Sequence, residues 1–475
     1  MLKELEKDEK VLDVIVDSII EEKKEEAWEK YEEYKNFYTF VSEDAKHYWI
    51  HGQHLQLLAQ KLQEVAAGKV KKLIITLPPR HGKSELISKK FPAWYLLNNP
   101  DKEIIISSYA AELSYDFSRV ARQTFRDYQH VFGVEIASDN QAVQKWGIEG
   151  HRGGLVAAGV GGAITGRGYH VGIIDDPLKN REEANSETMR KKIWEWYQAV
   201  FRTRAYPDAS MVIVMTRWHE DDLVGRLLKE QSEEWEVINF PALAEKKDEL
   251  KREEGEPLWP ARYSSKELAS IRKDIGTYEW LSLYQQRPSG LDGNIFKREW
   301  FHYIDRAPQD LRIYQTIDLA ATKKTESDYF ALLTFGHDSD YNLYLLDLYA
   351  GHLEFPEQIK LIQSYYDKWK PLSVGVETVA YQHAMEQWLR NKTNIPVRKL
   401  RPSTDKVTRA LRVTPHFENG KVFIVRGLPF QGLLEEQLLQ FPNGKHDDIV
   451  DVVSYMVDMF SSGNYSTIAR KSCYN

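Results

Sequence analysis

The sequence predicts an α/β protein with two successive sheets, the first mostly parallel and the second mixed. Two observations support this prediction. Over residues 73–240, short apolar runs rich in β-branched residues alternate with helical stretches, the order that produces parallel strands joined by crossover helices. From residue 312 onward, two apolar runs follow each other across a short turn before helices return, which indicates an antiparallel pair within a mixed sheet. At 475 residues the chain is also longer than one core usually organises, so we expect two or three domains.

Changes in composition along the chain predict the domain boundaries. We expect a charged helical arm over 1–46, where Glu and Lys dominate, followed by a first α/β domain over 47–244. The composition then turns to Lys, Glu, Gly and Pro, which indicates a linker or small helical subdomain over 245–290. The second α/β domain is expected over 291–475.

Charge and cysteine content exclude some classes of protein. Lys and Arg total 64 against 71 Asp and Glu, a net charge of −7, which argues against a uniformly basic nucleic-acid coat but allows a local basic patch. The single Cys473 cannot form an intrachain disulfide. No apolar stretch approaches the roughly 20 residues that span a bilayer. We therefore expect a soluble intracellular protein.

The first predicted site is residues 77–84, Leu-Pro-Pro-Arg-His-Gly-Lys-Ser, which follow the apolar run 73–76 and precede a predicted helix. This layout is typical of a phosphate-binding loop, in which backbone N–H groups and a helix N-terminus face the anion. Lys83 is expected to neutralise the β- and γ-phosphates of a nucleotide, and the Ser84 hydroxyl to bind Mg²⁺. Because Leu77 stands where the usual motif has glycine, an ordinary strand-to-helix turn is the alternative.

The strand predicted at 170–175 ends in two acids, Asp175 and Asp176. A Walker B element has this form, since the first carboxylate holds Mg²⁺ through water and the second orients or deprotonates the attacking water. Ionised carboxylates at the end of a buried strand are costly unless a cation pairs with them. A further strand at 211–215 ends in Thr216, a position from which NTP-driven motors sense the γ-phosphate. Together with the loop, these residues predict nucleotide hydrolysis.

Two other segments are candidates for the same site. An aromatic and amide-bearing segment at 48–54 offers Gln53 as a reader of adenine, although a packed helix N-terminus explains the same residues almost as well. The glycine-rich stretch 153–168 is expected to be a flexible loop that acts as a switch, with a simple connecting hairpin as the alternative.

Acidic residues at three places predict a second site. Asp318 and Glu377 end apolar strands, and Asp447 and Asp448 open a helix. Oxygen-only ligands of this kind suit two Mg²⁺ or Mn²⁺ ions about 3.5–4 Å apart, the arrangement used for in-line phosphodiester hydrolysis. Asp447 or Asp448 could also serve only as a helix N-cap.

Lys and Arg concentrate between residues 390 and 412. Cations beside a carboxylate cluster favour the approach of a nucleic-acid backbone. A solvated basic face is the alternative. Within this segment we expect Lys406, in a short loop before a helix, to lie closest to the scissile phosphate.

In this order, the motifs resemble those of the large subunit of a tailed-bacteriophage terminase, the motor that packages and cuts concatemeric genomes. The segments that carry the resemblance are residues 77–84, 108–110, 166–168, 173–177, 216–219, 284–288 and 446–448, with the acids Asp318 and Glu377. The resemblance implies a P-loop ATPase with a mostly parallel sheet of the additional-strand type, followed by an RNase H-like endonuclease domain with a mixed sheet.

The resemblance also implies roles for single residues. Arg80, His81 and Gly82 join Lys83 and Ser84 in nucleotide binding, with Arg80 as a second phosphate contact. Many members have Asp-Glu where this chain has Asp-Asp at 175–176. The shorter second acid must therefore lie closer to the attacking water or act through another one.

An arginine finger that acts on a neighbouring subunit is a further implication. By its position shortly before the Walker B strand, Arg167 resembles that finger, and Arg202 and Arg204 are competitors.

The function implied by the resemblance is ATP-driven translocation of double-stranded viral DNA into a prohead, with cutting of the concatemer by a metal-dependent endonuclease at the initiation and termination of packaging. ATP with Mg²⁺ would serve the first site, and Mg²⁺ or Mn²⁺ the second. The implied partners are double-stranded DNA, the portal protein of the prohead and the small terminase subunit. A protein that is monomeric in solution would form a homo-oligomeric ring, a pentamer, on the portal, without a membrane.

The implied location is the cytoplasm of the infected bacterial host, outside the mature virion. Two alternatives remain at this point. The chain could be a helicase-nuclease of DNA repair, or an ATPase with a non-catalytic DNA-docking second domain.

Overall fold

The computed structural model describes residues 28–162, 164, 166–288, 295–319, 329–377, 383–402, 404–444 and 446–460. The chain divides into two compact units. The first contains the residues up to Ala269 together with Glu279–Pro288, and the second contains Ser270–Tyr278 together with the residues from Ser289 onward. Residues 1–27 of the predicted arm at 1–46 lie outside the described residues, and so does Cys473.

The first unit contains a mostly parallel sheet. Its strands are β1 Lys72–Thr76, β2 Glu103–Ser108, β3 Ile136–Ala142, β4 Lys145–Ile148, β5 Gly154–Gly159, β6 Tyr169–Asp175, β7 Ala205–Met215 and β8 Glu236–Asn239. Their order is β3-β4-β5-β2-β6-β7-β1-β8. The neighbours from β5 to β8 are parallel, and β4 is antiparallel to β3 and β5. The apolar runs in β1, β2, β6 and β7 are buried, as strands covered by helices on both faces must be.

Helical elements of the first unit precede β1, connect the strands and follow β8, and residues 270–278 of the last helix belong to the second unit. The helices are α1 Phe37–Asp44, α2 Gln53–Ala66, α3 Phe91–Asn98, α4 Ala111–Phe132, α5 Arg181–Asn185, α6 Glu187–Trp196, α7 Leu223–Gln231 and α8 Ser265–Glu279, with π-helical turns at Glu85–Lys90, Tyr197–Phe201 and Trp280–Tyr284 and 3₁₀ turns at Arg202–Arg204 and Ser232–Glu234. Helix α8 is interrupted at Gly276, where φ is 77°.

The prediction of a flexible loop over 153–168 is wrong for its first part. Residues 154–159 form β5, which pairs with β2 inside the sheet. Glycine is needed here for close packing, because a Cβ on Gly153 would lie 2.1 Å from the carbonyl oxygen of Pro100.

The second unit contains a mixed sheet, as predicted. Its strands are β9 His302–Ile304, β10 Arg312–Asp318, β11 Phe330–His337, β12 Leu343–Gly351, β13 Ser373–Glu377, β14 Val397–Leu400 and β15 Val422–Val425. Their order is β14-β13-β10-β11-β12-β15-β9. The predicted antiparallel pair is β11 with β12, while β10 and β13 are parallel neighbours.

Helices pack against this sheet and follow its strands in the chain. They are α9 Phe355–Trp369, α10 His383–Lys392, α11 Lys406–Glu418, α12 Gln431–Gln440, α13 Asp448–Ser454 and α14 Met456–Phe460, with a 3₁₀ turn at Arg298–Trp300. Helix α13 is buried along its length, and the Val452 carbonyl accepts a hydrogen bond from the Thr316 hydroxyl of β10 at 2.8 Å. Within the described parts of the chain, no helix is long and apolar enough to cross a membrane.

Candidate active sites

Residues 77–84 form a tight loop between β1 and the helical turn Glu85–Lys90. Arg80 and Gly82 have left-handed backbone conformations, with φ of 62° and 88°. A Cβ on Gly82 would lie 2.8 Å from Leu55 Cδ2, so only glycine fits without movement of that leucine. The loop borders a cavity of about 420 Å³. The residues that line it are Tyr48, Pro79, Arg80, Gly82, Lys83, Ser84, Glu85, Lys89, Asp176 and Arg262.

Three residues from different strand ends meet at this cavity. Lys83 Nζ lies 2.6 Å from Asp176 Oδ2 and also donates to the Thr216 hydroxyl. The backbone N–H of Thr216 donates to Asp176 Oδ1 at 2.8 Å. The strand order explains the meeting, because β7 lies between β6 and β1 and the carboxyl ends of these parallel strands share one edge. Asp176 itself has φ of 43°, a strained conformation that turns its carboxylate towards Lys83.

Asp175, at the end of β6, is completely buried. The Ser88 hydroxyl donates to its Oδ2 at 2.5 Å, whereas Oδ1 has no hydrogen-bond partner. Burial, and then the neighbouring charge of Asp176, raise the pKa of Asp175 to about 6, while Lys83 and the hydroxyls of Ser88 and Ser84 oppose the rise. An orphaned carboxylate oxygen beside a serine hydroxyl fits a Mg²⁺ ion held by Asp175 and Ser84.

His81 stabilises the loop through contacts outside the cavity. Its imidazole is buried, stacks on Tyr263 with ring centres 4.8 Å apart and does not line the cavity. Its carbonyl oxygen accepts a hydrogen bond from His54 Nε2 at 3.0 Å. Burial lowers the pKa of His81 to about 3 and that of His54 to about 4, so both rings are neutral at pH 7.

Two predicted residues lie away from the cavity. Gln53 begins α2 with an exposed side chain that does not line the cavity. Tyr48, from the same predicted segment 48–54, does line it, as does Arg262, which sequence reasoning did not assign. Arg167 precedes β6, while the two acids lie at its other end, so roughly 20–25 Å of extended chain separates them. Arg167 instead lines a second cavity of about 650 Å³.

The competing finger candidates Arg202 and Arg204 form the 3₁₀ turn just before β7. This is the same end of the sheet as Arg167, because β6 and β7 are parallel. None of the three candidates is therefore placed to reach a nucleotide bound at the loop of its own chain.

The segment that follows Thr216 is tied to residues 279–286. The Arg217 backbone N–H donates to Gln286 Oε1 at 3.0 Å, and the Ser282 hydroxyl donates to the Arg217 carbonyl at 2.9 Å. The buried Arg181 guanidinium pairs with Glu279 at 2.6 Å. These bonds give a physical reason for the segment 284–288 among the motifs, since the Gln286 amide binds the backbone next to Thr216.

The second site lies at the carboxyl ends of β10 and β13. These strands are parallel neighbours, and the pairing of Ile317 with Val376 places Asp318 and Glu377 side by side. Glu377 is 8% exposed and Asp318 is partly buried. The first two predicted acids are therefore brought together by the sheet.

The predicted helix-start acids lie beside α11. Asp447 precedes α13 and Asp448 is its first residue. Lys406, the first residue of α11, places Nζ 2.6 Å from Asp447 Oδ1 and 2.6 Å from Oδ2 of a further acid, Asp451. Sequence reasoning missed Asp451. Its signal was the spacing of four residues from Asp447 and three from Asp448, which puts all three on one helical face.

The acids raise each other's pKa. Burial is the largest cause for Asp318, followed by the charges of Asp451 and Glu377, and its pKa lies well above the ordinary value. Burial and then Asp451 raise the pKa of Glu377, and burial raises that of Asp448. Such a cluster favours the uptake of protons or of other cations.

The metal-binding capacity of this cluster depends on Lys406. Among the residues that the structure describes, no three Asp, Glu, His or Cys side chains are close enough as they stand to hold a metal ion. The Lys406 ammonium lies between two of the acids, where it neutralises them. The donor set consists of carboxylates, which fits a hard divalent cation once the lysine has moved.

Several cations of the basic segment 390–412 already have acidic partners within the chain. Arg390 and Lys399 pair with Glu386, Lys406 and Arg409 pair with Asp451, and Arg412 pairs with Asp458. Glu386 and Asp451 are buried, which the sequence pattern does not reveal, and the role of the segment in binding DNA stays a prediction.

Comparisons with known proteins agree with this architecture. The family model described as "Terminase large subunit, T4likevirus-type, N-terminal" matches residues 74–303, and the model "Terminase RNaseH-like domain" matches residues 315–460. A comparison with curated proteins gave no match.

Several solved structures are similar. The large terminase from the thermophilic bacteriophage D6E in complex with ADP is 12% identical, with 85% of this chain and 99% of that chain covered and a TM-score of 0.48. The HK97 bacteriophage large terminase is 13% identical, with 82% and 88% covered and a TM-score of 0.36. The large terminase nuclease from the thermophilic phage G20c with bound magnesium is 14% identical, with 32% and 88% covered and a TM-score of 0.25.

A nucleotide-type loop on a parallel sheet, joined in one chain to an RNase H-like mixed sheet with clustered acids, defines a P-loop protein with an appended nuclease-type domain. The two matching models together span most of the chain. The chain belongs to the terminase large subunit family of bacteriophages.

Proposed function

We propose that this chain is the ATP-driven motor and the endonuclease of a DNA-packaging machine. The observation that carries the proposal is the meeting of Lys83, Asp176 and Thr216 at one loop-bordered cavity, although the three residues come from three separate strand ends. The acids at 318, 377, 447 and 448 form a separate cluster in the second unit, which supports a second chemistry on the same chain.

Lys83 is held by Asp176 and Thr216. We infer that ATP draws the Lys83 ammonium to its β- and γ-phosphates, which frees the Asp176 carboxylate to orient or deprotonate the attacking water. Thr216 loses one contact in the same step and thereby reports the γ-phosphate to the segment 279–286. Mg²⁺ would neutralise phosphate charge, held by Ser84 and Asp175.

Arg80, Gly82 and Ser84 would contact the phosphates, and His81 would hold the loop in shape. Tyr48 and Arg262, which line the same cavity, are placed to flank the rest of the nucleotide. Gln53 remains a candidate adenine reader only if α2 moves on binding. ADP in the D6E large terminase supports a nucleotide as the ligand.

The arginine finger would act between subunits. Because Arg167 lies at the opposite end of β6 from the acids, it can complete only the site of a neighbouring copy, as a homo-oligomeric ring, a pentamer, would allow. Arg202 and Arg204 lie at the same end and remain competitors.

In the second unit, Asp318, Glu377, Asp447 and Asp448 would hold Mg²⁺ or Mn²⁺, which supplies the charge that stabilises phosphodiester hydrolysis. The Lys406 ammonium would leave Asp447 and bind the DNA phosphate. Magnesium in the G20c large terminase nuclease supports a divalent metal.

The remaining proposals concern boundaries and partners. We propose an ATPase core over 47–244, a linker over 245–290 and an endonuclease domain over 291–475, preceded by the charged arm over 1–46. The partners would be double-stranded DNA, the portal protein and the small terminase subunit. The protein would act in the cytoplasm of the infected bacterial host and stay outside the mature virion.

Two measurements test the two activities separately. ATP turnover should be lost in Lys83→Ala, and cleavage of supercoiled plasmid with Mn²⁺ should be lost in Asp318→Asn. Each variant should retain the other activity. Cleavage that persists unchanged in Asp318→Asn would favour the alternative of a DNA-docking second domain.

A further inference from the structure

A buried carboxylate outside the predicted acid set lies at the centre of a charged cluster in the second unit. The Asp451 side chain belongs to a residue that is only 3% exposed. Its Oδ2 lies 2.6 Å from Lys406 Nζ, and its Oδ1 lies 2.6 Å from an Arg409 guanidinium nitrogen. Both oxygens of Asp451 are therefore engaged by cations of one helix, α11.

The two cations differ in their surroundings. Arg409 is buried, donates to the Thr404 carbonyl at 2.7 Å and has its guanidinium 5.3 Å from the ring centre of Tyr455. Lys406 keeps 32% of its side chain exposed. Solvent, and hence a DNA phosphate, can therefore reach Lys406, whereas Arg409 and Asp451 are buried.

We propose that Asp451 is a positioning residue of the nuclease. It is held by Arg409 and in turn holds Lys406, so that the Lys406 ammonium faces a DNA phosphate. The inference rests on the nuclease activity proposed above. Asp451 follows Asp447 and Asp448 by one helical turn and faces the same acids, since it is the largest charged contributor to the raised pKa of both Asp318 and Glu377.

A purely structural ion pair would not explain this arrangement. Buried ion pairs between helices are often replaceable by apolar residues without loss of stability. A second pair on α11, Arg412 with Asp458 of α14, has both members partly exposed, at 43% and 28%. Asp451 differs from Asp458 because it is buried and is bound by two cations. Asp458 therefore provides a matched control for Asp451.

The test uses the full chain, supercoiled plasmid and Mn²⁺. We expect Asp451→Asn to lower kcat for cleavage about 10- to 100-fold with KM and ATP turnover unchanged, as supporting residues of such sites do. Asp458→Asn should stay within about twofold of the unsubstituted chain. Because Asp451 acts through Lys406, the double variant with Lys406→Ala should cleave no more slowly than Lys406→Ala alone.

A second readout needs no cleavage. Mn²⁺ affinity, measured by calorimetry without DNA, should be nearly unchanged in Asp451→Asn, because Asp451 is not proposed as a ligand. A loss of Mn²⁺ affinity by more than about 100-fold exceeds what loss of a supporting residue causes, and it would make Asp451 a metal ligand and overturn the inference.

Two further outcomes would overturn the inference. One is additive losses in the double variant, and the other is an Asp458→Asn defect equal to that of Asp451→Asn. If Asp451→Asn does not fold, Asp451→Glu replaces it in the same cycle, with the same lack of additivity expected. Equal cleavage by the unsubstituted chain and Asp318→Asn would instead refute the nuclease activity itself.

Discussion

Replacement of Asp176 by Asn should have opposite effects on nucleotide binding and nucleotide turnover. Lys83 Nζ is 2.6 Å from Asp176 Oδ2, so ATP must break this ion pair before the lysine can reach the phosphates. The Asp176 side chain is 25% exposed, which reduces the worth of the pair. We therefore take the net free energy of the pair between Lys83 and Asp176 as about 1.5 kcal/mol, the lower end of the range for hydrogen bonds to charged groups.

Loss of that pair should tighten the binding of ATPγS by about tenfold, because the lysine no longer has to be released. Turnover should fall by about 10²–10⁴, the usual contribution of a general base. Titration calorimetry with ATPγS and phosphate release from ATP measure the two effects. Asp208→Asn is the control, since Asp208 also pairs with a lysine of the first unit, at 3.0 Å, but is 61% exposed. It should leave both quantities unchanged.

Two results would refute this reasoning. Weaker ATPγS binding by Asp176→Asn would mean that the contact between Lys83 and Asp176 persists when nucleotide is bound. Turnover within about tenfold of the unsubstituted chain would remove Asp176 from the role of general base.

Three other predictions concern the separation of activities, pH and stability. Lys83→Ala should abolish phosphate release but leave plasmid cleavage with Mn²⁺ intact, and a parallel loss of cleavage would show that the nuclease depends on ATP. The raised pKa values of Asp318, Glu377 and Asp448 mean that these three acids contribute stability to the second unit that is fully present below about pH 4 and is lost as pH rises through the folded pKa values, so Mn²⁺ should raise Tm more at pH 8 than at pH 5; an equal Mn²⁺ effect at both pH values would contradict this. Arg181→Ala should lower the free energy of unfolding by about 2–3 kcal/mol, because a carboxylate that is 20% exposed loses its partner, and chemical denaturation measures this; a loss below about 0.5 kcal/mol would mean that the pair is dispensable.

The sequence predicts the nucleotide site well because each part of it has a local pattern. The loop at 77–84, the acids that end β6 and Thr216 at the end of β7 all follow apolar strands. Parallel strands bring their carboxyl ends to one edge of the sheet. A correct prediction of the fold class was therefore enough to predict that these residues lie close together. The pairing of Lys83 with Asp176 was not predictable, because it depends on the left-handed conformation of Asp176.

The second site shows what local patterns leave out. Asp318 and Glu377 were predicted from strand ends, but Asp451 acquires its importance from the packing of α13 against α11, which a single sequence does not display. The cations of 390–412 were predicted to face DNA, whereas several are engaged by buried acids. The glycines of β5 led us to predict a loop. Their role in close backbone packing depends on the tertiary structure, which a local sequence pattern does not show.

The central claim is that ATP hydrolysis at the Lys83 site drives DNA into a prohead. The rate of phosphate release, measured with linear double-stranded DNA in the presence and absence of empty proheads, tests it most directly. We predict that proheads raise the rate well above that with DNA alone, and that Lys83→Ala shows no rise. Full stimulation by DNA ends without proheads would contradict the packaging role and favour a helicase-nuclease of DNA repair.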